Sequence, residues 1–248
     1  SLGLVGSEMC IRDSAKAVQG ADCVIFCVPV GAYADLMRTV APHLKPGAII
    51  TDVGSTKSSV VRDLGPLVPQ GVHLVPAHPM AGTEYSGPDA GFATLFEGRY
   101  CMLTPLAGSD PAAVEAVKEF WRRCGSMVET LDPATHDKIV AIVSHLPHLI
   151  AFTICSTADD LAEETKEAVL KFAAGGFRDF TRIAASDPTM WRDVFLNNRE
   201  ALLEMLARFT EDAQALGRAV RWGQADYIED RIQRGRKIRR ELIERHQA

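Results

Sequence analysis

The sequence predicts an α/β domain built on a parallel sheet, followed by an all-helical C-terminal domain. Five short apolar runs alternate with segments of helical spacing in the first half of the chain, as in a doubly wound parallel sheet. After Leu131 the short apolar runs cease, and the later segments have helical periodicity. We therefore expect a sheet domain at 15–131 and a helical domain at 132–248.

The five predicted strands are near-continuous apolar runs, which is typical of strands covered by helices on both faces. They lie at 22–28, 48–53, 72–77, 99–104 and 127–131. Helical spacing occupies 31–44, the stretch from 57 to about 67, and 111–124. Asp110 and Pro111 predict the start of the last of these helices, with the aspartate as N-cap and the proline at the first helical position.

In the second half, Asp132-Pro133 and Asp187-Pro188 predict two further helix starts. Pro147 removes a backbone donor from a long helical stretch, so we expect a kink there. Another predicted helix carries an apolar seam at spacings of four and three, formed by Leu202, Leu206, Phe209, Ala213 and Leu216. Such a seam is more often an internal core than a subunit contact, but after an open sheet it also makes subunit exchange plausible. We expect a homodimer formed through this domain.

Composition narrows the class of protein. The chain has 248 residues, 47% hydrophobic residues and a net charge of -5, so it has the composition of an ordinary globular protein and no general affinity for nucleic acid or a membrane surface is expected. No apolar run approaches the roughly 20 residues that span a bilayer. The six cysteines are scattered without a C-x-x-C pair, which indicates neither a disulfide framework nor a zinc knuckle. We expect a cytoplasmic protein.

Three loops follow strands of the predicted sheet, and ligands bind at that edge of open parallel sheets. They lie at 28–30, 52–57 and 75–87, and the last contains His78 between a small residue and a proline. His78 is a candidate base, although a loop histidine bonded to nearby backbone is the simpler alternative. Ser55 is placed to hydrogen-bond the imidazole and fix its tautomer, or to cap the following helix, or to do both.

The helical half offers a second group of polar residues. Ser144 and His148 lie one turn apart on a helix, where they could hydrogen-bond a substrate or simply pack. The H-x-x-H pattern lacks an obvious third ligand, so we expect no metal site. Arg178 and Arg182 follow a Gly-Gly turn, and either could hold a carboxylate bidentately or pair with an aspartate at the surface.

Four motifs, in this order along the chain, resemble the prephenate/arogenate dehydrogenase family. They are Asp52-Val-Gly-Ser-Thr-Lys57, His78-Pro-Met-Ala-Gly-Thr-Glu84, Ser144-His-Leu-Pro-His148, and Phe177-Arg-Asp-Phe-Thr-Arg-Ile183 followed by Asp187-Pro-Thr-Met-Trp-Arg192. The resemblance extends from about Ala15 to the C-terminal helices. It implies an NAD- or NADP-dependent oxidative decarboxylation in tyrosine biosynthesis, which converts prephenate to 4-hydroxyphenylpyruvate or arogenate to tyrosine.

The same resemblance implies roles for individual residues. His78 is similar to the histidine that takes the proton of the substrate's ring hydroxyl, Ser55 to the serine that orients it beside the nicotinamide, and Arg182 to the arginine that grips a substrate carboxylate. The other implied substrate-binding residues are Ser144, His148, Thr83, Glu84, Gly175 and Trp191. The implied cofactor-binding residues are Val28, Pro29, Gly54 and Ser55. Because a neutral imidazole accepts the proton, we expect activity to rise through about pH 6–7.

The first fourteen residues depart from the family pattern. They have no clear period, resemble a translated sequencing adapter and lack a complete glycine-rich turn after a strand. We therefore expect 1–14 to be non-native and the Rossmann-like domain to be incomplete and N-terminally truncated, with weakened cofactor binding. Two alternatives stay open. One is a β-hydroxyacid dehydrogenase-like oxidoreductase, against which the His78 loop argues, and the other is an inactive, truncated helical dimer.

Overall fold

The computed structural model describes residues 14–82, 85, 87–161 and 163–244. The backbone divides into two units, Ser1–Leu202 and Leu203–Ala248. Every residue of the candidate site considered below belongs to the first unit. Residues 1–13, on which the expectation of a non-native segment falls, lie outside the described part of the chain.

Three parallel strands open the first unit. They are β1 (Cys23–Phe26), β2 (Ile49–Asp52) and β3 (His73–Leu74), in the spatial order β1-β2-β3. A short 3-10 turn leads from β1 into helix α1 (Tyr33–Val40), and helix α2 (Ser58–Leu64) follows β2. This is the strand–helix alternation that the apolar runs predict, and it confirms the α/β class.

The third predicted strand, 72–77, continues into a second ladder. Val75 N–H donates to the carbonyl of Ile50 at 2.9 Å, and the carbonyl of Pro76 accepts from Thr104 N–H at 2.9 Å. Because Pro76 has no N–H to donate, the ladder is interrupted there. The same extended segment then forms β4 (Ala77–Pro79), which carries His78.

The second ladder has the order β4-β5-β6, with β5 at Tyr100–Leu103 and β6 at Met127–Thr130. Strand β4 is antiparallel to β5, and β5 is parallel to β6 across helix α3 (Pro111–Arg123). The prediction of an entirely parallel sheet is therefore wrong at its far edge. A parallel pair needs a long crossover, usually a helix, and between β4 and β5 the described residues contain only the 3-10 turn Pro88–Ala90.

Two apolar clusters hold this half together. The first, under the parallel strands, includes Phe26, Tyr33, Met37, Ile50 and Leu64. The second lies against α3 and includes Val75, Leu103, Val117 and Trp121. The start of α3 is fixed as predicted, because the Asp110 carboxylate accepts the Ala113 N–H at 2.8 Å.

The chain after β6 is helical, as predicted. Its helices are α4 (Pro133–Val140), α5 (Leu146–Asp159), α6 (Glu163–Phe172), α7 (Gly175–Thr181), α8 (Pro188–Asn197), α9 (Arg199–Arg221) and α10 (Ala225–Glu244). Asp132 and Asp187 cap α4 and α8 by accepting the N–H groups of Thr135 and Met190. The Gly175-Gly176 pair follows the end of α6 at Phe172 and itself begins α7.

A π-helical turn, Ala141–His145, joins α4 to α5 and takes the place of the predicted kink at Pro147. Pro147 lies in the first turn of α5, directly after the π turn, so its missing N–H falls where the hydrogen-bond spacing of the helical stretch changes. Single π turns inside helices occur frequently at functional sites. Here the turn ends at His145, a buried histidine of the candidate site.

The continuous helical stretch Pro133–Asp159 is 27 residues long and mainly apolar, so by length and composition it could cross a membrane. This differs from the expectation drawn from short apolar runs, because the helix combines several of them. The same stretch carries the buried polar side chains of His136, Asp137 and His145. Its apolar exposed residues include Ile142 and Val143, which are about half exposed.

A buried ion pair links β2 to the His78 strand. Lys57 and Asp52 are both fully buried and paired, and Lys57 Nζ also donates to the carbonyl of Ala77 at 2.7 Å. The Asp52 carboxylate accepts further bonds from the N–H groups of Ala77 at 3.1 Å and Gly54 at 2.9 Å. Both charges thus have an opposite charge and further hydrogen bonds, which is the condition for tolerating them in a core.

We expect Lys57→Met to lower the free energy of unfolding by about 3–5 kcal/mol, because it leaves the Asp52 carboxylate buried without its cation. Lys45→Met is the matched control, since Lys45 pairs with Asp22 at the surface and should cost at most about 1 kcal/mol. Urea unfolding of both variants measures the difference. Equal losses would show that the buried pair contributes no more than the exposed one.

Candidate active site

The three loops expected to meet do lie side by side. Val53 N–H donates to the carbonyl of Phe26 at 3.2 Å, which keeps the segments after β1 and β2 adjacent. The bonds from Asp52 and Lys57 to Ala77 then fix the His78 strand beside β2. Backbone from three neighbouring strands therefore meets at the edge where open parallel sheets bind ligands.

His78 is buried on β4, with 7% of its surface exposed. Its Nδ1 lies 2.8 Å from Nε2 of His136, and the two rings meet edge to face with centroids 5.1 Å apart. None of the described residues hydrogen-bonds Nε2 of His78. No hydrogen bond joins Ser55 to this imidazole among the described residues, and His136 occupies the position at Nδ1, so the orienting role of Ser55 stays a prediction.

His136 is held in turn by Asp137. Its Nδ1 lies 2.8 Å from Asp137 Oδ1, and its side chain is fully buried. Asp137 Oδ1 also accepts the N–H of Lys57 at 2.8 Å, and Oδ2 accepts the N–H of Ser58 at 2.9 Å. Asp137 therefore caps helix α2 from a different helix, which is the role considered for Ser55.

Electrostatics keep His78 neutral. Burial lowers the pKa of His78 well below its ordinary value of 6.5, and the neighbouring His136, Lys57 and His145 lower it further. Burial also lowers the pKa of His136, although its bond to Asp137 opposes this. Backbone and side-chain donors hold the pKa of Asp137 below its usual value despite burial. At neutral pH the arrangement is a carboxylate followed by two neutral imidazoles.

A second polar group adjoins the first through Asn198. Its Nδ2 donates to the backbone carbonyl of Asp137 at 2.8 Å and to Nδ1 of His145 at 3.0 Å. Burial lowers the pKa of His145 to about 4. Because Nδ1 of His145 accepts a bond, Nε2 carries the proton of the neutral ring, and the backbone of Ser55 lies close enough to His145 to raise its pKa against the effect of burial.

His148 and Trp191 form the other side of this group. Their rings stack with centroids 3.6 Å apart, and Nδ1 of His148 donates to the carbonyl of Ser144 at 2.8 Å. Its Nε2 is therefore an acceptor while the ring is neutral. Burial lowers the pKa of His148, and Arg182 is close enough to lower it further. The structure thus brings together four of the residues predicted to bind substrate.

The structure says less about the roles of the remaining predicted site residues. A Cβ added to Gly175 would meet only Asp179, at 3.8 Å, so the described residues give this glycine no steric role. Thr83 and Glu84 lie outside the described residues. Of the predicted cofactor-binding residues, Val28 is half-buried and Pro29 exposed after β1, and Ser55 is half-buried after β2. Gly54 is required by packing, since a Cβ there would lie 2.6 Å from Val30.

Comparisons with known proteins identify this arrangement. Residues 4–130 match the family profile of the prephenate dehydrogenase nucleotide-binding domain, and residues 132–234 match the profile of the prephenate dehydrogenase dimerization domain. The chain belongs to the prephenate dehydrogenase family. The family expected from the four motifs is thereby confirmed.

Individual relatives agree with this assignment. The chain is 38% identical to a cyclohexadienyl dehydrogenase of Zymomonas mobilis over 94% of its own length and 80% of the relative's. It is similar to a prephenate dehydrogenase of Aquifex aeolicus in complex with hydroxyphenyl propionate and NAD+, with a TM-score of 0.82, 34% identity and coverage of 94% and 79%. An arogenate dehydrogenase of Synechocystis gives a TM-score of 0.77, 25% identity and coverage of 92% and 81%.

The family match also bears on the N-terminal segment. It begins at residue 4 and so includes most of the stretch that we expected to be non-native. The expected N-terminal truncation is therefore not supported.

His136, Asp137 and Asn198 are the site residues that the sequence did not reveal within this family fold. His136 and Asp137 lie in the first helix after β6, directly behind the predicted cap Asp132. Thr135 and Lys138 flank them, so they lie in a run of four polar residues and no local signal distinguishes them. The bond from His136 to His78 joins residues 58 positions apart, and no local pattern reports such a contact.

We expect the free energy of unfolding to fall as the pH is lowered below about 6.5. His78, His136 and His145 all have lowered pKa values in the folded chain, so the unfolded chain binds more protons. Each histidine then contributes up to about 1.4 kcal/mol per pH unit, present above the unfolded pKa and lost on acidification. Urea unfolding at pH 8, 6.5 and 5 measures it.

The control is His136→Leu, which should reduce the slope between pH 6.5 and 5 by up to one proton. Asp137 changes the free energy of unfolding in a different pH range. Its pKa is lowered in the folded chain, so its contribution is lost only as the pH approaches the ordinary value of 3.8 and falls below it. Equal unfolding free energies at pH 8 and 5 would contradict the assignment of three neutral buried histidines.

Proposed function

We propose that the chain catalyses the NAD+-dependent oxidative decarboxylation of prephenate or arogenate in tyrosine biosynthesis. The observation that carries the proposal is His78, a buried neutral imidazole whose Nδ1 is held by His136 while Nε2 has no partner among the described residues. Family membership and the substrate-like ligand and NAD+ named for the Aquifex relative support it.

In the proposed reaction, Nε2 of His78 accepts the proton of the substrate's ring hydroxyl. The ring carbon that bears this hydroxyl loses its hydride to NAD+ at the same time. The resulting carbonyl accepts the electron pair of the breaking bond to the carboxylate, and CO2 departs as the ring aromatises. His78 then returns its proton to the phenolic oxygen. Because aromatisation drives the reaction, the protein mainly has to position one base and hold the substrate's carboxylates.

The residues at the strand ends fit the nicotinamide part of the cofactor. Backbone after β1 and β2 runs side by side, with Pro29 exposed and Ser55 half-buried next to the His78 strand. Gly54 lets that backbone pack without a side chain. When bound there, NAD+ supplies the hydride acceptor. The binding roles of Val28, Pro29, Gly54 and Ser55 remain part of the proposal.

The substrate's carboxylates require cations and donors. Arg182 lies near His148, whose stacked partner Trp191 closes an aromatic wall with Phe152 and Phe195. We assign Arg182 to a carboxylate, and Ser144 and His148 to hydrogen bonds with the substrate. Prephenate and arogenate differ in a keto or an amino group, and both names occur among the relatives, so the proposal covers both.

A homodimer formed through the helical domain is part of the same proposal. The dimerization-domain match covers 132–234, and in this range Ile142, Val143, Leu196 and Leu203 expose about half or more of their surface. A cytoplasmic location stays a prediction from composition.

The direct test is an assay of the purified chain with NAD+ and either prephenate or arogenate. NADH formation matched by CO2 release is the expected result. His78→Asn should lower kcat by about 10²–10⁴-fold, because it removes the base, while the KM for the substrate changes little. The exposed-site variant His43→Asn is the control and should retain full activity. Unchanged turnover in His78→Asn would remove this residue from the chemistry.

Arg182→Gln should instead act mainly on binding. We expect the KM for prephenate or arogenate to rise by about 10–100-fold, since a charge-assisted bond to a carboxylate contributes about 1.5–3 kcal/mol. Arg178→Gln is the matched control one turn earlier on α7. If Arg178→Gln raises the KM and Arg182→Gln does not, the carboxylate clamp is Arg178.

The acid limit of activity should also be displaced. The neutral form of His78 is the active one, and its lowered pKa keeps that form dominant throughout the neutral range. We therefore expect kcat to stay constant from pH 8 down to about 6.5 and to fall only at lower pH. This replaces the rise through about pH 6–7 that an ordinary histidine would give. A half-maximal kcat at or above pH 6.5 would contradict it.

A further inference from the structure

We propose that His136 and Asp137 are positioning residues that fix His78 as the Nδ1–H tautomer, with the lone pair of Nε2 directed to the substrate. The proposal rests on the proposed function of His78 as the base. It concerns which of the two ring nitrogens carries the proton before substrate arrives. That choice decides whether the imidazole can accept a proton at all on its free side.

The chain of hydrogen bonds starts at Asp137. Its carboxylate already accepts two backbone N–H groups, those of Lys57 and Ser58, so three donors including His136 point at it. A carboxylate surrounded by donors stays ionised and can only accept. His136 must therefore present an N–H to it, and that proton is on Nδ1.

The next step follows from the neutrality of His136. A neutral imidazole has one N–H and one bare nitrogen, so with the proton on Nδ1 the Nε2 atom is an acceptor. The only hydrogen-bond partner of this Nε2 among the described residues is Nδ1 of His78, at 2.8 Å. Nδ1 of His78 must then be the donor, and its own Nε2 is left bare.

The alternative assignment needs an extra charge. If His136 were an imidazolium, its Nε2–H would donate to His78 and force the proton of His78 onto Nε2, where the ring could not act as a base. Full burial, with Lys57 and His78 close by, disfavours that cation. The buried ammonium of Lys57 thus has a second effect here, because it opposes a further positive charge in the same pocket.

His136 is the residue to substitute. Asp137 also caps α2, so removing it would combine two effects, whereas the side chain of His136 hydrogen-bonds only Asp137 and His78 among the described residues. His136→Leu removes both bonds at similar volume. His136→Gln retains an amide N–H for Asp137 and a carbonyl that accepts the Nδ1–H of His78.

The first measurement does not depend on activity. Two-bond proton–nitrogen correlation spectra of the chain labelled with 15N-histidine distinguish a bare from a protonated ring nitrogen, and His78→Asn assigns the His78 signals. We expect the Nδ1–H tautomer in the unsubstituted chain and in His136→Gln. We expect mainly Nε2–H in His136→Leu, since that tautomer is favoured by an unconstrained histidine.

The second measurement is steady-state kinetics. His136→Leu should lose kcat by about 10²-fold or more with little change in the KM for substrate, and His136→Gln should restore kcat to within about tenfold of the parent. Urea unfolding checks that both variants are folded. A residue that only stabilises the fold would not separate the two variants in kcat or change the tautomer of His78.

The outcomes separate the two proposals. An Nε2–H tautomer of His78 in the unsubstituted chain overturns the positioning role, as does a folded His136→Leu with kcat within about threefold of the parent. If His78 has the Nδ1–H tautomer but the protein releases no CO2 from prephenate or arogenate, the positioning role of His136 and Asp137 is supported and the proposed reaction is contradicted.

Discussion

The Asp137 carboxylate is the group on which the rest of the site depends. It sits on the first helix after the sheet and accepts the backbone N–H groups of Lys57 and Ser58, which begin the helix after β2. A helix N-terminus has unpaired N–H groups and a partial positive charge, so a carboxylate from elsewhere in the chain is an effective cap. The same oxygen that accepts the Lys57 N–H also holds His136 against His78. Local helix capping and the placement of the base are therefore one interaction.

This arrangement explains why two buried charges are tolerated close to a neutral base. Lys57 directs its backbone N–H to Asp137 and its ammonium to Asp52 and the Ala77 carbonyl, immediately before His78 in the strand. The backbone N–H of Lys57 thus binds the helix that carries Asp137, and its ammonium binds both β2 and the strand that carries His78. The cost of burying the ammonium is offset by its pairing with Asp52, its bond to the Ala77 carbonyl and the backbone N–H groups that the Asp52 oxygens accept.

The sequence predicted best what is decided locally. The Asp-Pro helix starts at 110, 132 and 187 need only neighbouring residues, and all three caps form. The first two strands and their helices follow from apolar runs covered on both faces. The direction of β5 did not follow from any such pattern, because it depends on whether the chain crosses over or turns back after His78, and both choices leave an apolar strand in the core.

The sequence likewise predicted those residues of the candidate site that lie in local motifs, and it missed a contact between distant segments. His78, Ser144, His148, Arg182 and Trp191 lie in recognisable motifs, and the structure groups the last four around one stacked ring pair. The orienting partner of His78 was assigned to Ser55 because a neighbouring strand end is the nearest candidate in sequence terms. The partner that the structure shows at Nδ1 is His136, from a helix that the chain reaches only after β6. A hydrogen bond between distant segments leaves no periodicity or spacing from which it could be inferred.

A base with a lowered pKa would be a poor choice if the reaction depended on its strength, since proton affinity falls with pKa. The proposed chemistry does not depend on it, because the loss of CO2 makes an aromatic ring and pulls the proton transfer forward. What the reaction requires is that the correct nitrogen be bare and correctly aimed whenever substrate binds. Burial and the hydrogen bond to His136 provide that at the expense of basicity. The site therefore fixes the position and the tautomer of His78. Its basicity is lowered in exchange, and the proposed reaction does not depend on that basicity.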